Sequence, residues 1–305
     1  MKKDMLQQEA GGTIALSTAD KRFYAVVYAL LALIVLTVLY PIILVISSSF
    51  SSPAAIYAGR VFLWPVDLSV EGYQAVFKNK QIITGFFNTL FYTGVGTLVN
   101  LVMTLLAAYP VARRTLPYRK PIMMLFIFTM FFSGGMIPNY MLLMNLGLLN
   151  TRFALILPGA ISVYNMILMR TFIENIPVEL NEAAEIDGCS DIKYLLHVVI
   201  PLSKPIIAVL TLYYAVAHWN AYFNAMLYLT DQKLAPLQLV LRDILISNSI
   251  NLSEIADEET MRAKQGLSEL LKFALIVVSS LPVMIIYPFI QKYFVKGVMI
   301  GSIKG

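Results

Sequence analysis

The sequence predicts an all-α protein that crosses a membrane several times. Hydrophobic residues make up 58% of the 305 positions, and the mean hydropathy is +0.73. In a soluble domain roughly half of the residues are apolar, so the surplus here indicates lipid as the surrounding medium. No Asp or Glu occurs between residues 72 and 173. Because a carboxylate at the centre of a membrane helix costs about 2.5–3.5 kcal/mol, such a gap is what consecutive spans require.

Six apolar stretches are long enough to cross the roughly 30 Å of membrane hydrocarbon, which needs about 20 residues each. Helices are expected rather than strands, because a helix satisfies every backbone amide within its own segment. The fourth stretch is short and contains Pro158-Gly159, which predicts a tilt or a break. The predicted spans cover residues 23–46, 82–112, 121–144, 153–169, 206–229 and 273–293.

The charged residues divide unequally between the two sides that these spans define. The side that holds both termini carries 14 basic and nine acidic residues, whereas the other side carries eight basic and nine acidic residues. Short loops rich in Lys and Arg face the cytosol, so we predict that both termini are cytoplasmic. This topology also explains the basic pI without nucleic-acid binding. The predicted organisation is a tail over 1–22, a six-helix domain over 23–295 and a second tail over 296–305.

A polar loop over about 174–204 lies on the cytoplasmic side, between two apolar stretches. Pro177 suits the first position of a helix, and Gly188 suits the left-handed conformation that ends one. Ser190 suits the cap of a second helix, which we expect Pro201 to stop. The loop is therefore predicted to be two short helices that meet at a sharp bend. It is either a docking element or an ordinary amphipathic elbow at the membrane surface.

Two long loops lie on the opposite side, over residues 47–81 and 231–269. The first is rich in aromatic residues and turn formers, and the second contains an amphipathic stretch around 260–271. Each is either a solvated interfacial loop or a docking surface for an extracytoplasmic protein.

Neutral polar and aromatic side chains at or near membrane depth are the candidate substrate path. Amides and aromatic faces suit a ligand rich in hydroxyl groups, but the same groups also join helices through hydrogen bonds worth about 0.6–2 kcal/mol. Both interpretations stay open for each residue. The candidates are Asn88, Asn100, Asn139, Tyr164, Asn165, Trp219, Asn220 and Asn224.

Other classes of protein fit the sequence less well. An ion-coupled secondary sugar transporter usually needs intramembrane carboxylates or a repeat around a midplane site, and the predicted spans contain neither. An intramembrane enzyme needs a nucleophile–base pair or metal ligands. The two histidines, His197 and His218, join no such cluster, and we expect His218 to pack within the fifth span. A structural membrane scaffold would leave the spacing of the polar loop unexplained.

The spacing of the polar loop resembles the EAA loop of binding-protein-dependent ABC importer permeases. In that pattern EAA is followed by three residues, Gly, nine residues and Ile-x-Leu-Pro. Val198 and Ile200 stand where Ile and Leu are usual, and they keep the apolar volume. The matching residues are Glu182, Ala183, Ala184, Gly188 and Pro201.

Further motifs are similar to those of the carbohydrate (maltose-type) branch of these permeases. The segment 291–295, together with the tail that follows it, is similar to permeases for aldouronate or pectin-type oligosaccharides. The motifs of the branch stand at residues 133–138, 146–151, 156–159, 219–220, 236–237 and 296–305.

The resemblance implies a type I ABC importer permease fold in a bacterial plasma membrane, in which this chain pairs with a second homologous permease. It also implies that the chain is a transport subunit and not an enzyme. No GxxxxGK[ST] pattern occurs, so ATP and Mg²⁺ would be bound by a cytosolic ABC ATPase dimer, and no cofactor is expected on this chain. A solute-binding protein would deliver an oligosaccharide from outside. The implied ATPase-coupling residues are Glu182, Ala183, Ala184, Asp187, Gly188 and Pro201.

Overall fold

The computed structural model describes residues 17–250 and 258–302, and all regular structure in these ranges is helical. The predicted N-terminal tail before residue 17 and the last three residues of the C-terminal tail lie outside the described residues. The structure also contains one π-helical turn (Leu195–Val199) and one 3₁₀ turn (Gln232–Leu234) within the described ranges. The helices in chain order are α1 (Thr18–Ser49), α2 (Pro53–Tyr57), α3 (Glu71–Lys78), α4 (Lys80–Ala112), α5 (Arg119–Phe131), α6 (Met136–Asn145), α7 (Phe153–Ile156), α8 (Val163–Glu174), α9 (Val178–Ile186), α10 (Asp191–Tyr194), α11 (Ile200–Leu202), α12 (Lys204–Trp219), α13 (Phe223–Tyr228), α14 (Leu237–Ile250) and α15 (Glu258–Ser302).

Three helices of the described chain are long and apolar enough to cross a membrane alone, and they lie in α1, α4 and α15. The 32 residues of α1 reach about 48 Å at 1.5 Å per residue. A capping box starts this helix: the Ser17 hydroxyl accepts a backbone bond, and the Asp20 carboxylate accepts from the Ser17 N–H at 3.1 Å. The most apolar window of α1 is 0% buried by the rest of the chain. Its surface is therefore left for lipid or for another subunit.

The third predicted span is not one continuous helix. α5 and α6 follow each other across a bend of 109°. The break contains Ser133-Gly134-Gly135, and Gly135 has a φ of +90°, which glycine adopts without a steric penalty. The expectation of a single helix over 121–144 is therefore corrected to two helices that form a broken span or a re-entrant element.

The fourth and fifth predicted spans are also interrupted. α7 ends at Ile156 and α8 begins at Val163, with Pro158-Gly159 in the gap as the sequence predicted. α12 and α13 are separated by residues 220–222. By length and composition, three helices of the described chain can span a membrane, or up to five if each of two bent pairs counts as one span. The count of six therefore stays a prediction.

α4 lies at the centre of the packing, against α8, α12 and α14. Around its C-terminal half, the side chains of Met166, Met169 and Leu210 are completely buried. A second apolar cluster surrounds its N-terminal half and joins it to α14 and α15 through Leu237 and Leu275. These two clusters fix α4 relative to its neighbours along its length.

Buried polar residues recur along one face of α4 at the three- to four-residue spacing of a helix. Each of five such residues forms a hydrogen bond to a group outside α4, because a polar group removed from water is costly without a partner. The stripe connects α4 to the segment before α14, to the break between α7 and α8, and to α12. Its members are Asn88, Thr89, Tyr92, Asn100 and Thr104.

Candidate functional site

The polar loop forms two helices that meet at Gly188, as predicted. α9 ends at Ile186, and Gly188 follows with a φ of +68°. The Gly188 N–H donates to the Glu185 carbonyl at 3.1 Å, and the Cys189 N–H donates to the Ala184 carbonyl at 2.9 Å. These two bonds form a Schellman motif, which satisfies the last carbonyls of a helix and requires a left-handed residue. Local rules alone therefore place the bend.

The second helix of the loop begins at Asp191 and does not stop at Pro201. α10, the π-turn and α11 are one continuous stretch to Leu202, and the chain then bends by 80° into α12. Pro201 lacks an N–H, and in an α-helix its ring would clash with the carbonyl four residues earlier. The N–H of Ile200 instead bonds to the carbonyl five residues earlier, which widens the helix just before the proline. The expected stop at Pro201 is therefore wrong.

The starts of the two loop helices differ in detail from the expectation. Pro177 is the residue just before α9 and not part of its first turn. Ser190 stands at the cap position of α10, but its side chain makes no capping bond. Asp191 lies in the first turn instead, where a carboxylate favours the positive end of the helix dipole.

The candidate coupling residues lie mostly on the outer surface of the loop. Ala184 is half-buried against the core, and the other five are exposed. Two apolar side chains beside them face solvent as well: Ile186 is 87% exposed and Ile192 is 71% exposed. Large apolar side chains at the tip of a short polar loop indicate a surface that another molecule covers. The five exposed candidates are Glu182, Ala183, Asp187, Gly188 and Pro201.

Arg113, the residue after α4, connects that helix to both helices of the loop. Its side chain is only 18% exposed. Nη1 pairs with the Asp191 carboxylate and donates to the Tyr109 hydroxyl at 2.9 Å, whereas Nη2 lies 3.1 Å from Glu185 Oε1 and 3.2 Å from Asn181 Oδ1. Burial lowers the pKa of the Arg113 guanidinium, but Tyr109 and Asp191 raise it, and the net shift is upward. Arg113 therefore stays charged.

Sequence reasoning missed this cluster because it counted Arg113 only as a charge that sets the topology. One signal was present in the sequence: Asn181 and Glu185 are four residues apart, so they share one face of α9. In the structure Asn181 Nδ2 donates to Glu185 Oε1 at 2.7 Å, which holds the two partners of Arg113 side by side.

A second ion cluster lies at the base of the loop. Glu174, the last residue of α8, lies 2.9 Å from Arg119 and 2.7 Å from Arg170 through the same Oε1 atom. The three side chains are half-buried, and they join the start of α5 to the end of α8. A cavity of about 350 Å³ lies next to the loop and is lined by both Glu174 and Arg113.

A pocket of about 300 Å³, the central pocket, lies between α4, α8 and α12 and combines apolar with polar lining residues. Amide, phenol and imidazole groups line it, and no carboxylate is among its lining residues. Such neutral groups donate and accept hydrogen bonds, as sugar hydroxyls do. Within the described ranges, no group of three or more His, Cys, Asp or Glu side chains is placed to hold a metal ion. The polar lining residues are Tyr92, Asn100, Ser162, Asn165, Tyr213, Tyr214, His218 and Asn224.

Three of the predicted substrate-path residues line the central pocket, namely Asn100, Asn165 and Asn224. The structure thus brings together side chains from three different predicted spans. Three others, Asn139, Tyr164 and Asn220, do not line it and are exposed on the isolated chain.

The remaining two predicted residues bond to backbone carbonyls inside the chain. Asn88 Nδ2 donates to the Ala235 carbonyl at 3.1 Å, and Trp219 Nε1 donates to the Ser279 carbonyl at 2.9 Å. Both side chains are buried, at 4% exposure each. Their hydrogen bonds hold α4 and α12 against neighbouring segments.

His218 packs within α12, as expected, but it also faces the central pocket. Its Nε2 atom lies 2.6 Å from Asn100 Oδ1, and Asn100 Nδ2 donates to the Gly159 carbonyl at 2.5 Å. The imidazole lies directly against α4 at Gly96, where a Cβ atom would lie 2.5 Å from Nε2. The absence of a side chain at position 96 thus makes room for a polar contact between two helices.

The similarities to known proteins cover almost the whole chain. Residues 81–300 match the family described as binding-protein-dependent transport system inner membrane component. The polygalacturonan/rhamnogalacturonan transport system permease protein YtcP of Bacillus subtilis (strain 168) is 40% identical over 286 residues, which cover 94% of this chain and 99% of that protein. Protein LplC of the same organism is 41% identical over 265 residues, which cover 87% and 89% of the two chains.

A solved structure is also similar over nearly the full length. A chain in the crystal structure of a bacterial ABC transporter involved in the import of the acidic polysaccharide alginate is 37% identical, with a TM-score of 0.84. The match covers 92% of this chain and all of that chain. It confirms the ABC importer permease fold, and it favours an ABC permease over an ion-coupled secondary transporter. The chain, a multi-pass plasma-membrane protein, therefore belongs to the family of inner membrane components of binding-protein-dependent transport systems.

Proposed function

We propose that this chain is one of two permease subunits that form the translocation path of an ATP-driven importer for oligosaccharides, including those that contain uronic acids. The observation that carries the proposal is the 40% identity, over 94% of the chain, to a permease named for polygalacturonan and rhamnogalacturonan. The similarity to a chain of an alginate importer supports the same class of cargo, because alginate is also acidic.

The central pocket supplies groups that suit this cargo. Asn165 and Asn224 offer amides, Tyr213 offers a phenol, and His218 offers an imidazole. Because no carboxylate lines the pocket, a uronate that enters it meets no like charge there. These residues are the proposed sugar contacts of this subunit. Asn139, Tyr164 and Asn220 would join the path where the second permease subunit closes against them.

Arg152 is the proposed contact for the sugar carboxylate. It lies just before α7 and contacts α4 at Asn88 and Phe91, close in the chain to Tyr92 of the central pocket. Its guanidinium carbon lies 4.4 Å from the centre of the Phe91 ring, and Nη2 lies 3.4 Å from Asn88 Oδ1. Among the described residues no carboxylate forms an ion pair with it. A guanidinium held by an aromatic face and an amide suits a carboxylate ligand.

The exposed loop is the proposed contact with a cytosolic ATPase dimer, which would bind ATP and Mg²⁺. Glu182 offers a charge at its surface, and Ala183 allows a partner to approach closely. Gly188 keeps the two loop helices at the angle that the Schellman motif sets. Asp187 and Pro201 are exposed on the same loop and complete the proposed contact.

The proposed orientation places both termini and this loop in the cytosol, because the side that holds them carries a net charge of about +5 against about −1 on the other side. The loops over 47–81 and 231–269 would then face outside. They are the proposed docking surface for the solute-binding protein that delivers the sugar.

The cargo is tested with the complete importer, reconstituted with its second permease, its ATPases and its binding protein. ATP hydrolysis is measured with a panel of oligogalacturonates, alginate oligosaccharides and neutral oligosaccharides. We expect stimulation by at least one uronic-acid oligosaccharide. Stimulation by neutral sugars alone would contradict the uronate part of the proposal, and uptake in the absence of any ATPase would contradict the whole of it.

The coupling role is tested with Glu182→Lys and Gly188→Pro in the same complex. We expect membrane insertion to be retained and sugar-stimulated hydrolysis to be abolished, because the first change reverses a contact charge and the second removes the left-handed residue. Normal stimulated hydrolysis in the Gly188→Pro complex would refute the assignment.

A further inference from the structure

We infer that Arg113 is a positioning residue that couples movement of the exposed loop to movement of α4, and hence to the central pocket. The inference rests on the proposed coupling role of the loop. It adds a residue that lies outside the loop and outside the pocket, and it assigns that residue a role in transmission between them.

A single side chain, that of Arg113, bonds to all three elements concerned. Arg113 contacts Tyr109 on α4, Asn181 and Glu185 on α9, and Asp191 at the start of α10. The planar guanidinium presents its donors in a fixed arrangement, so the two loop helices are held at set positions around it. The guanidinium side of these ion pairs is 18% exposed, whereas the Glu185 and Asp191 side chains are 59% and 74% exposed, so water screens the pairs mainly from the carboxylate side.

Apart from Arg113, little holds α9 in place. No residue of α9 is buried, and only Ala184 near its end packs against the apolar core. Apolar packing therefore contributes little to the position of this helix relative to α4. The polar contacts of Arg113, which involve two residues on one face of α9, are the main described connection.

α4 runs from Arg113 to the central pocket as one helix, which contains Pro110 near its C-terminal end. Asn100 lines the pocket and lies 13 residues before Arg113, which is about 20 Å along one helix. At Asn100, α4 bonds to the break after α7 and to α12. A shift of the loop that pulls on Arg113 therefore reaches two walls of the pocket through one helix.

The test uses the complete importer in proteoliposomes and measures sugar molecules imported per ATP hydrolysed. Arg113→Ala is compared with Arg114→Ala, a matched control that removes an exposed arginine at the next position. We expect Arg113→Ala to lower the ratio by at least about fivefold, the lower bound of typical coupling between sites. The control should keep the ratio of the unmodified complex. Arg113→Lys, which keeps the charge but not the planar group, should give an intermediate ratio.

An assembled Arg113→Ala complex with an unchanged ratio would overturn the inference. If that variant does not assemble, Glu185→Gln combined with Asp191→Asn removes both charged partners and should give the same loss, and a normal ratio there would also overturn it. Gly188→Pro distinguishes the role of Arg113 from the role of the loop. If Gly188→Pro lowers the ratio while the Arg113 variants do not, only the inference about Arg113 fails. If Gly188→Pro also leaves the ratio unchanged, the proposed role of the loop fails.

Discussion

The Nε2 atom of His218 lies 2.6 Å from the Oδ1 atom of Asn100, and this contact joins α12 to α4 at the central pocket. The imidazole fits only because residue 96 of α4 is glycine. The Asn100 amide also bonds to the backbone between α7 and α8, so one side chain holds three walls of the pocket together. A methyl group at position 96 would therefore displace the imidazole and disturb this junction.

Gly96→Ala is expected to destabilise the protein by about 1–3 kcal/mol, the usual cost of forcing an extra carbon into a packed site. The added Cβ would lie 2.5 Å from His218 Nε2 and 2.6 Å from Cε1, so the ring must move away from Asn100. Thermal unfolding of the purified complex in detergent measures the effect. Gly94→Ala is the control, because nothing lies within 4 Å of a Cβ there. Equal melting temperatures for the two variants would contradict the prediction.

Thr104→Val and Thr97→Val are expected to differ, although both remove a buried hydroxyl from α4. Thr104 Oγ1 lies 2.7 Å from the Tyr214 hydroxyl, which also accepts from the Ser162 N–H at 3.3 Å. Loss of the bond between Thr104 and Tyr214 should lower the free energy of unfolding by about 0.6–1.7 kcal/mol, as for other hydrogen bonds between membrane helices. Thr97 Oγ1 has no hydrogen-bond partner in the described structure, so its removal should be neutral or slightly stabilising. The free energy of unfolding of each purified variant, measured by denaturation, tests the prediction. A larger loss of stability for Thr97→Val than for Thr104→Val would contradict it.

Gly188→Ala is expected to cost about 1–2 kcal/mol of local stability, the penalty for a side chain in the left-handed conformation, and to lower sugar-stimulated ATPase activity. Asn tolerates this conformation better, so Gly188→Asn should retain more activity. Gly94→Ala is the matched control, because neither glycine has an atom within 4 Å of a Cβ and only Gly188 has a positive φ. The measurement is stimulated hydrolysis by the reconstituted complex. If Gly188→Ala and Gly94→Ala behave alike, backbone conformation is not what matters at the bend.

Arg152→Gln is expected to raise the concentration of loaded binding protein needed for half-maximal ATPase stimulation by uronic-acid oligosaccharides. A hydrogen bond to a charged group contributes about 1.5–3 kcal/mol, so a shift of roughly tenfold or more is expected. Stimulation by a neutral oligosaccharide should change little. Arg114→Gln is the control, because that exposed arginine lies on the opposite predicted side, outside the central pocket and outside the proposed docking loops. Equal shifts for acidic and neutral sugars would contradict a contact between Arg152 and the carboxylate.

The structural features that were predicted best are those that depend on residues close together in the sequence. The bend at Gly188 follows from local backbone rules, and the all-α class follows from composition. Continuity of the apolar stretches was predicted less well, because average hydropathy over 121–144 does not register the change in direction at Gly135. The partners of Arg113 in the loop lie 68 to 78 residues away in the chain, and nothing local indicates that they meet Arg113.

The contacts of Arg152 and His218 could not be predicted for the same reason. Both residue types were visible in the sequence, but their neighbours come from α4, which is distant along the chain. A cation–aromatic contact between Arg152 and Phe91 or a bond between His218 and Asn100 depends on how helices pack. The amides that line the central pocket were among the predicted candidates, whereas the glycine that admits the imidazole was not.

The π-turn at Leu195–Val199 also accommodates an extra residue ahead of Pro201 without turning the loop. A π-turn holds one residue more than the α-helical turn it replaces, so each of its residues rotates the chain by less than the roughly 100° of an α-helix. Deleting a single residue from this turn would therefore close it to an α-helical turn and leave Asp191 facing Arg113, but it would restore the clash between the Pro201 ring and the carbonyl four residues earlier. The extra residue thus relieves the proline while the direction in which the loop faces is kept.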